Sequence, residues 1–151
     1  MAVAPYILPH LKDRPLSLNR FPQTIHGDGF YQKDYTGYLP PFVSSYTISS
    51  TSAKKAVSYL MCQNIETIQF LINLSAIEFN PWLSRYTTSD YPDYLVIDLD
   101  PSDHNSFAEV KEVAQAVKMA LDAKKITGFI KTSGKTGLHI YVPVAEQKTY
   151  A

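Results

Sequence analysis

Tyr94-Leu95-Val96-Ile97-Asp98-Leu99-Asp100-Pro101 is a run of apolar, β-favouring residues that ends in two carboxylates and a proline. Successive side chains of a strand point to opposite faces, so Asp98 and Asp100 share one face and Leu99 lies on the other. Two neighbouring carboxylates repel each other unless a cation lies between them. The pattern therefore predicts a buried strand that ends in a site for Mg²⁺ or Mn²⁺, which prefer oxygen ligands. A solvated strand end and a turn cap are the alternatives.

The composition indicates one ordinary globular domain. The 151 residues are enough to form a core, and a hydrophobic content of 45% argues against disorder. Lys plus Arg and Asp plus Glu number 14 each, so no global charge attracts a polyanion. The single cysteine, Cys62, excludes an internal disulfide and is predicted to be a buried thiol. Neither a membrane span nor a signal peptide is apparent, so we expect a cytoplasmic protein.

Residues 1–45 contain six prolines, at positions 5, 9, 15, 22, 40 and 41, which predict an irregular segment without long helices. Basic and aromatic side chains alternate in this segment, a pattern that suits the backbone and bases of a nucleic acid. The alternative is an ordinary solvated loop region. The residues concerned are Lys12, Arg14, Arg20 and Lys33, with Phe21, Phe30, Tyr31 and Tyr35.

The middle of the chain predicts a hairpin followed by a short helix and a strand. Residues 42–48 and 56–62 form the two strands, joined by a Ser/Thr/Lys-rich link. Asn64 is predicted to cap the helix. A strand over 76–79 would end at Asn80-Pro81, and Trp82 is predicted to pack in the core. The inner stripe of the helix would be Ile65, Ile68, Leu71 and Ile72.

After the acidic strand, Ser106-Phe107-Ala108-Glu109 forms a capping box that opens a helix. Strands over 128–131 and 139–142 follow, and Pro143 ends the second. Because strands outnumber helices, the predicted fold class is α+β with a mixed or antiparallel sheet. The inner stripe of the helix would be Phe107, Val110, Val113, Ala114, Val117, Ala120 and Leu121.

Thr132-Ser133-Gly134-Lys135-Thr136-Gly137-Leu138-His139 is the second motif. Its glycines permit a tight turn that directs N–H groups towards an anion. Ser133 adds a hydroxyl donor, Lys135 a positive charge, and His139 a further donor. The motif therefore predicts a site for a nucleoside triphosphate, whereas a plain hairpin turn with a lysine at its tip is the alternative.

The Asp-x-Asp pair is also similar to that of the haloacid-dehalogenase-like phosphohydrolases, which place it at the end of an apolar strand. A glycine usually follows the pair there, but Pro101 follows it here. A phosphohydrolase is therefore the runner-up.

With both motifs, the chain resembles the primase-polymerase domain of bacterial ligase D, the end-joining polymerase of the archaeo-eukaryotic primase superfamily. The residues that carry the resemblance are Arg14-Pro15, Arg20-Phe21-Pro22, Gly29-Phe30-Tyr31-Gln32-Lys33, Ile77-Glu78-Phe79-Asn80-Pro81-Trp82, Asp98-Leu99-Asp100-Pro101 and Ser133-Gly134-Lys135-Thr136-Gly137-Leu138-His139.

The resemblance implies a palm of mixed or antiparallel sheet with a few packed helices, and template-directed nucleotidyl transfer at DNA ends in non-homologous end joining. Asp98 and Asp100 would be catalytic and would hold Mn²⁺ or Mg²⁺. The incoming nucleotide would be bound by Ser133, Lys135, His139, Lys33 and Asn80, and DNA by Arg14 and Arg20. Implied partners are nucleoside triphosphates, DNA ends and a ligase domain or Ku-like protein, with no membrane.

Two departures from the family pattern matter. Asn80 stands where the family usually has His. The family also has a third metal-binding aspartate on a later strand, and its N-terminal region carries lysines that bind a 5′-phosphate; both are missing from this chain. The acids beyond Asp100 are Asp103, Glu109, Glu112, Asp122 and Glu146, and none follows an apolar strand. We therefore expect a single-domain core fragment, residues 1–151, with little or no turnover, or a non-catalytic domain that binds DNA ends.

Overall fold

The computed structural model describes residues 2–50, 55–144 and 148–150. Glu146 and most of the predicted Ser/Thr/Lys-rich link lie outside the described residues. The chain forms two compact units, Met1–Ser89 and Asp90–Ala151. Both units combine helices with antiparallel sheet, so the predicted α+β class is confirmed. No helix in the described ranges is long and apolar enough to cross a bilayer.

The first unit is built around β1, which pairs antiparallel with β2, β4 and β5, while β3 pairs with β4. Leu16 and Leu18 of β1 are almost completely buried beneath α1 and α2, together with Cys62, whose burial is as predicted. The elements of this unit are α1 (Ala4–Leu11), β1 (Pro15–Arg20), β2 (Phe30–Gln32), β3 (Ser44–Ser50), β4 (Lys55–Met61), α2 (Ile65–Asn73), β5 (Ala76–Pro81) and a 3₁₀ turn at Tyr86–Thr88.

The first 45 residues are more ordered than predicted, since α1, β1 and β2 all lie within them. Two of the prolines are compatible with these elements, since Pro5 is in the first turn of α1 and Pro15 is the first residue of β1, whereas Pro9 lies inside α1. Strand β5 also continues to Pro81, which pairs with Leu16, instead of ending at Phe79.

Asn64 caps α2 as predicted, because its side chain accepts a bond from the Thr67 amide at 2.8 Å. The predicted stripe is only half right. Ile68 and Leu71 are buried, but Ile65 and Ile72 are exposed. Trp82 is half-buried, with its ring 5.0 Å from that of Tyr59.

The second unit contains β6 (Tyr94–Leu99), α3 (Phe107–Ala123), β7 (Phe129–Thr132) and β8 (Leu138–Pro143). The sheet is antiparallel with the order β6-β8-β7. Its core forms where Val110 and Ala114 of α3 meet Leu138, Ile140 and Val142 of β8. Both halves of the predicted capping box at Ser106 are present.

Strand β6 was expected to be buried, and this prediction is wrong. Within the described residues β6 pairs with β8 alone, so it is an edge strand, and Leu95 is half exposed. The predicted α3 stripe is correct at Val110 and Ala114, whereas Phe107, Val113 and Ala120 remain exposed. The helical spacing of apolar residues predicted α3 correctly, but it does not indicate how much of the apolar face of α3 is covered by the sheet.

Candidate active site

Three side chains form a row across the second sheet. Asp98 of β6 lies opposite His139 of β8, which lies opposite Lys131 of β7. Directly opposed residues in antiparallel strands project to the same face. His139 Nε2 is 3.3 Å from Asp98 Oδ1, and His139 Nδ1 is 3.3 Å from Lys131 Nζ. The imidazole therefore lies between a carboxylate and an ammonium group.

This row borders solvent. The side chain of Asp98 is 58% exposed and that of His139 is 26% exposed. Two residues further along β8, the ring centroid of Tyr141 lies 6.4 Å from that of His139. Asp98 is therefore accessible to a ligand, and the imidazole is held in a more sheltered position.

The second aspartate contacts the glycine turn. A Cβ built on Gly137 would lie 2.5 Å from Asp100 Oδ1 and 2.6 Å from the Leu99 carbonyl oxygen. Real Cβ atoms do not approach other atoms so closely, so this position requires glycine. The two sequence motifs are thus in direct contact.

The turn between β7 and β8 is closed by Ser133. Its amide donates to the Gly137 carbonyl at 3.0 Å, and its Oγ accepts from the amides of Gly137 at 3.0 Å and Lys135 at 3.4 Å. Gly134 has a φ of 106°, which favours glycine. Because Oγ accepts both bonds, the Ser133 hydroxyl proton remains free to donate to an anion. Lys135 is exposed at the tip of the turn.

Asp98 and Asp100 are the residues that could hold a metal ion. In the described part of the chain, no three His, Cys, Asp or Glu residues converge on one metal position. Two carboxylates nevertheless fit Mg²⁺, which is commonly bound by one or two carboxylates together with water and substrate phosphates. The donor set is therefore suitable for a hard cation that shares its coordination with a nucleotide.

The other predicted site residues belong to the first unit. Lys33 and Asn80 are exposed, as a ligand contact requires. Arg20 donates to the Leu74 carbonyl at 2.7 Å and to Gln32 at 2.8 Å, and it lies over the Phe30 ring. Its guanidinium group therefore already has three neighbours within the unit.

Arg14 does not have the exposure that a DNA contact needs. It is only 3% exposed, and its guanidinium donates to the carbonyls of Trp82 and Leu83 at 3.0 and 2.6 Å. These bonds hold the segment that follows β5, so Arg14 serves the fold and is not among the DNA contacts that we propose.

Lys131 was missed by the sequence analysis. The available signal was the strand period: in a β7–β8 hairpin that turns at 133–137, Lys131 pairs with His139. The strand was predicted, but its register was not.

The fold described above and its two contacting motifs are those of a primase-polymerase type of domain. The whole chain, residues 1–151, matches the family model of the LigD primase-polymerase domain, and the chain belongs to that family. This assignment sets aside the haloacid-dehalogenase-like alternative.

Among relatives, the bifunctional non-homologous end joining protein LigD of Bacillus subtilis is 32% identical over 146 residues, which cover 96% of this chain and 23% of that protein. The multifunctional LigD of Pseudomonas aeruginosa is 29% identical over 141 residues, 93% of this chain and 16% of that protein. The chain thus spans less than a quarter of the length of either relative.

The structure is similar to that of the polymerase domain of Mycobacterium tuberculosis ligase D in complex with DNA. The TM-score is 0.84 at 26% sequence identity, and the match covers 97% of this chain and 53% of that domain. The two folds therefore agree over almost the full described chain.

Proposed function

We propose that this chain is the metal- and nucleotide-binding core of a template-directed nucleotidyltransferase that acts on DNA ends in non-homologous end joining. The observation that carries the proposal is the contact between the two motifs. His139 reaches Asp98 at 3.3 Å, and the glycine turn lies directly against Asp100. A triphosphate bound at the turn would therefore lie beside the two carboxylates.

Asp98 and Asp100 would hold Mg²⁺ or Mn²⁺, which when bound would neutralise phosphate charge and help to align a 3′-hydroxyl with the α-phosphate. The protein residues supply binding and orientation. Ser133 donates its hydroxyl proton, His139 donates from its ring, and Lys135 adds a positive charge. Such positioning and electrostatic stabilisation provide most of the catalysis in phosphoryl-type transfers.

Lys33 and Asn80 are proposed as further nucleotide contacts, and Arg20 as a DNA contact. The solved relative is a complex with DNA, which supports DNA as a partner here. A ligase domain or a Ku-like protein is proposed as a further partner because the relatives are LigD proteins. Repair of chromosomal ends would take place in the cytoplasm.

A non-catalytic domain that binds nucleotide or DNA ends is the second candidate. It is favoured because no three acidic, His or Cys residues converge on one metal position among the described residues. Two-metal transfer ordinarily uses more ligands than this. We therefore propose that the chain alone turns over slowly or not at all.

Nucleotide binding is the direct test of the shared part of both candidates. A nucleoside triphosphate is titrated in the presence of Mn²⁺ into the unmodified chain, His139→Ala and the matched control His104→Ala, which alters an exposed histidine of the loop before α3. We expect His139→Ala to weaken binding about tenfold and His104→Ala to leave it unchanged. Absence of saturable binding by the unmodified chain would contradict the proposed function.

A further inference from the structure

We infer that Lys131 is a positioning residue for His139: its ammonium group holds the imidazole so that Nε2, carrying the ring proton, faces Asp98. Lys131 projects from β7 and brings Nζ to 3.3 Å from His139 Nδ1, on the side of the ring away from the carboxylate. The functional consequence rests on the proposed function, but the orientation itself does not.

The chemistry of the two neighbours selects one form of the ring. An ammonium group has three donors and no acceptor, so the nitrogen that it faces must accept. Nδ1 therefore carries no proton, and in a neutral imidazole the proton must be on Nε2. A carboxylate has only acceptors, so Asp98 matches Nε2–H. A flipped ring would place N–H against the ammonium group and a lone pair against the carboxylate.

The backbone fixes this arrangement from both sides. Asp98, His139 and Lys131 occupy directly opposed positions on three neighbouring strands, so none of them can move along its strand without breaking the register. The His139 side chain is only 26% exposed, which limits competition from water for Nδ1. An exposed lysine on an edge strand with no such partner would have no comparable effect.

Under the proposed function, the held ring keeps its single N–H on the Asp98 side, where an anion that binds beside the carboxylate can share that proton without rotation of the ring. Because the side chain is already ordered, the binding free energy does not include the entropic cost of ordering it, which is the advantage of preorganisation. Lys131 would act through His139 and would not need to contact the nucleotide.

The first experiment uses the ligand-free protein and so does not depend on nucleotide binding. The ¹⁵N resonances of the His139 ring are recorded at about pH 8, where imidazole is ordinarily neutral. The samples are the unmodified chain, Lys131→Met, Lys131→Arg and the control Lys124→Met at the exposed end of α3.

We expect a protonated Nε2 and a hydrogen-bonded, unprotonated Nδ1 in the unmodified chain. That Nδ1 signature should be lost in Lys131→Met, restored in Lys131→Arg and retained in Lys124→Met. A proton on Nδ1 of the unmodified chain, or an Nδ1 resonance unchanged in Lys131→Met, would overturn the inference.

The second experiment measures triphosphate affinity as a double-mutant cycle. Lys131→Met should weaken binding about three- to tenfold in the unmodified background and should cause no further loss in His139→Ala. An equal loss in both backgrounds would mean that Lys131 contacts the nucleotide itself, and the positioning role would be rejected. If no nucleotide binds to any variant, the proposed function fails while the resonances still decide the orientation.

Discussion

Gly137 and Asp100 are in such close contact that any side chain at 137 would enter the space of the Asp100 carboxylate. A Cβ at 137 would be 2.5 Å from Asp100 Oδ1 and 2.6 Å from the Leu99 carbonyl oxygen. The glycine of one motif thus sets the position of the aspartate in the other.

Gly137→Ala should therefore displace the end of β6 and weaken Mn²⁺ binding by about tenfold, because a displaced Asp100 carboxylate would no longer be placed to share a cation with Asp98. Calorimetric titration with Mn²⁺ measures the effect. Gly27→Ala is the control, since a Cβ there meets only atoms at 3.4 Å or more. Unchanged Mn²⁺ affinity in Gly137→Ala would show that this contact does not position Asp100.

Removing both carboxylate charges should abolish metal binding. Asp98→Asn with Asp100→Asn keeps the shape of both side chains but removes the negative charges that attract a cation. We expect heats of Mn²⁺ binding to disappear in the double variant and to persist in Asp103→Asn, which changes an exposed acid of the following loop. Equal heats from the double variant and the unmodified chain would refute the site.

Lys135→Ala should weaken triphosphate binding more than monophosphate binding, because a lysine at the tip of a glycine turn matters most where the anionic charge is densest. Loss of one charge-assisted contact costs about 1.5–3 kcal/mol, or roughly ten- to a hundredfold in affinity. Titrations with both nucleotides, beside Lys124→Ala, measure the difference. A triphosphate dissociation constant equal to that of the unmodified chain would remove Lys135 from the site.

The chain alone should bind nucleotide and metal yet extend primers poorly, since no three His, Cys, Asp or Glu residues converge on one metal position in the described part of the chain. A primer-extension gel with Mn²⁺ and all four nucleotides, run beside a phosphate-release assay, tests this expectation. Robust templated extension would contradict it. Phosphate release that is lost in Asp98→Asn would instead indicate a hydrolase.

Stability at acid pH should depend on Glu109. The bond from the Ser106 amide, at 2.6 Å, and the Ser106 hydroxyl lower the pKa of Glu109 below its ordinary value of 4.5. A carboxyl whose pKa is lowered by folding stabilises the folded state above that ordinary value, and the contribution is lost as the pH falls below it. Glu109→Gln accepts the same bond without titrating, so its acid transition should be shallower than that of the unmodified chain. Urea unfolding between about pH 3 and 7 measures the free energy of unfolding of each variant, with Glu112→Gln as the control. Identical pH profiles for Glu109→Gln and the unmodified chain would be inconsistent with the pKa shift.

Much of the second unit could be predicted because its signals are local. The β6 run, the Ser106 capping box and the glycine turn each lie within a few residues, and all three elements occur where expected. The exposure of Asp98 and Leu95 could not be predicted, since it depends on the position of β6 at the edge of the sheet. A continuous apolar run looks the same in a central strand and in an edge strand.

The first unit was less predictable because prolines obscured its central strand. In β1, Leu16 and Leu18 alternate with Ser17 and Asn19, which is a strand period, but Pro15 and Pro22 flank it and suggested a loop. Arg14 was misleading for a related reason. The sequence alone does not distinguish a buried arginine, which donates to backbone carbonyls, from an exposed arginine, which can contact phosphate.

The pairing of Asp98 with His139 is non-local, whereas the turn that contains Ser133 is closed within a single hairpin. Helix α3 and strand β7 lie between β6 and β8 in the sequence, so the pairing of β6 with β8 closes a long loop. Pairings between residues that are far apart in the sequence form slowly. We therefore expect the turn that contains Ser133 to form early in folding and the strand that carries Asp98 to join it late. Amide exchange should then be faster in β6 than in β8. A partly opened molecule would retain the turn that we propose binds phosphate after it has lost the two carboxylates that we propose bind metal, so affinity for phosphate and affinity for metal would disappear at different concentrations of denaturant.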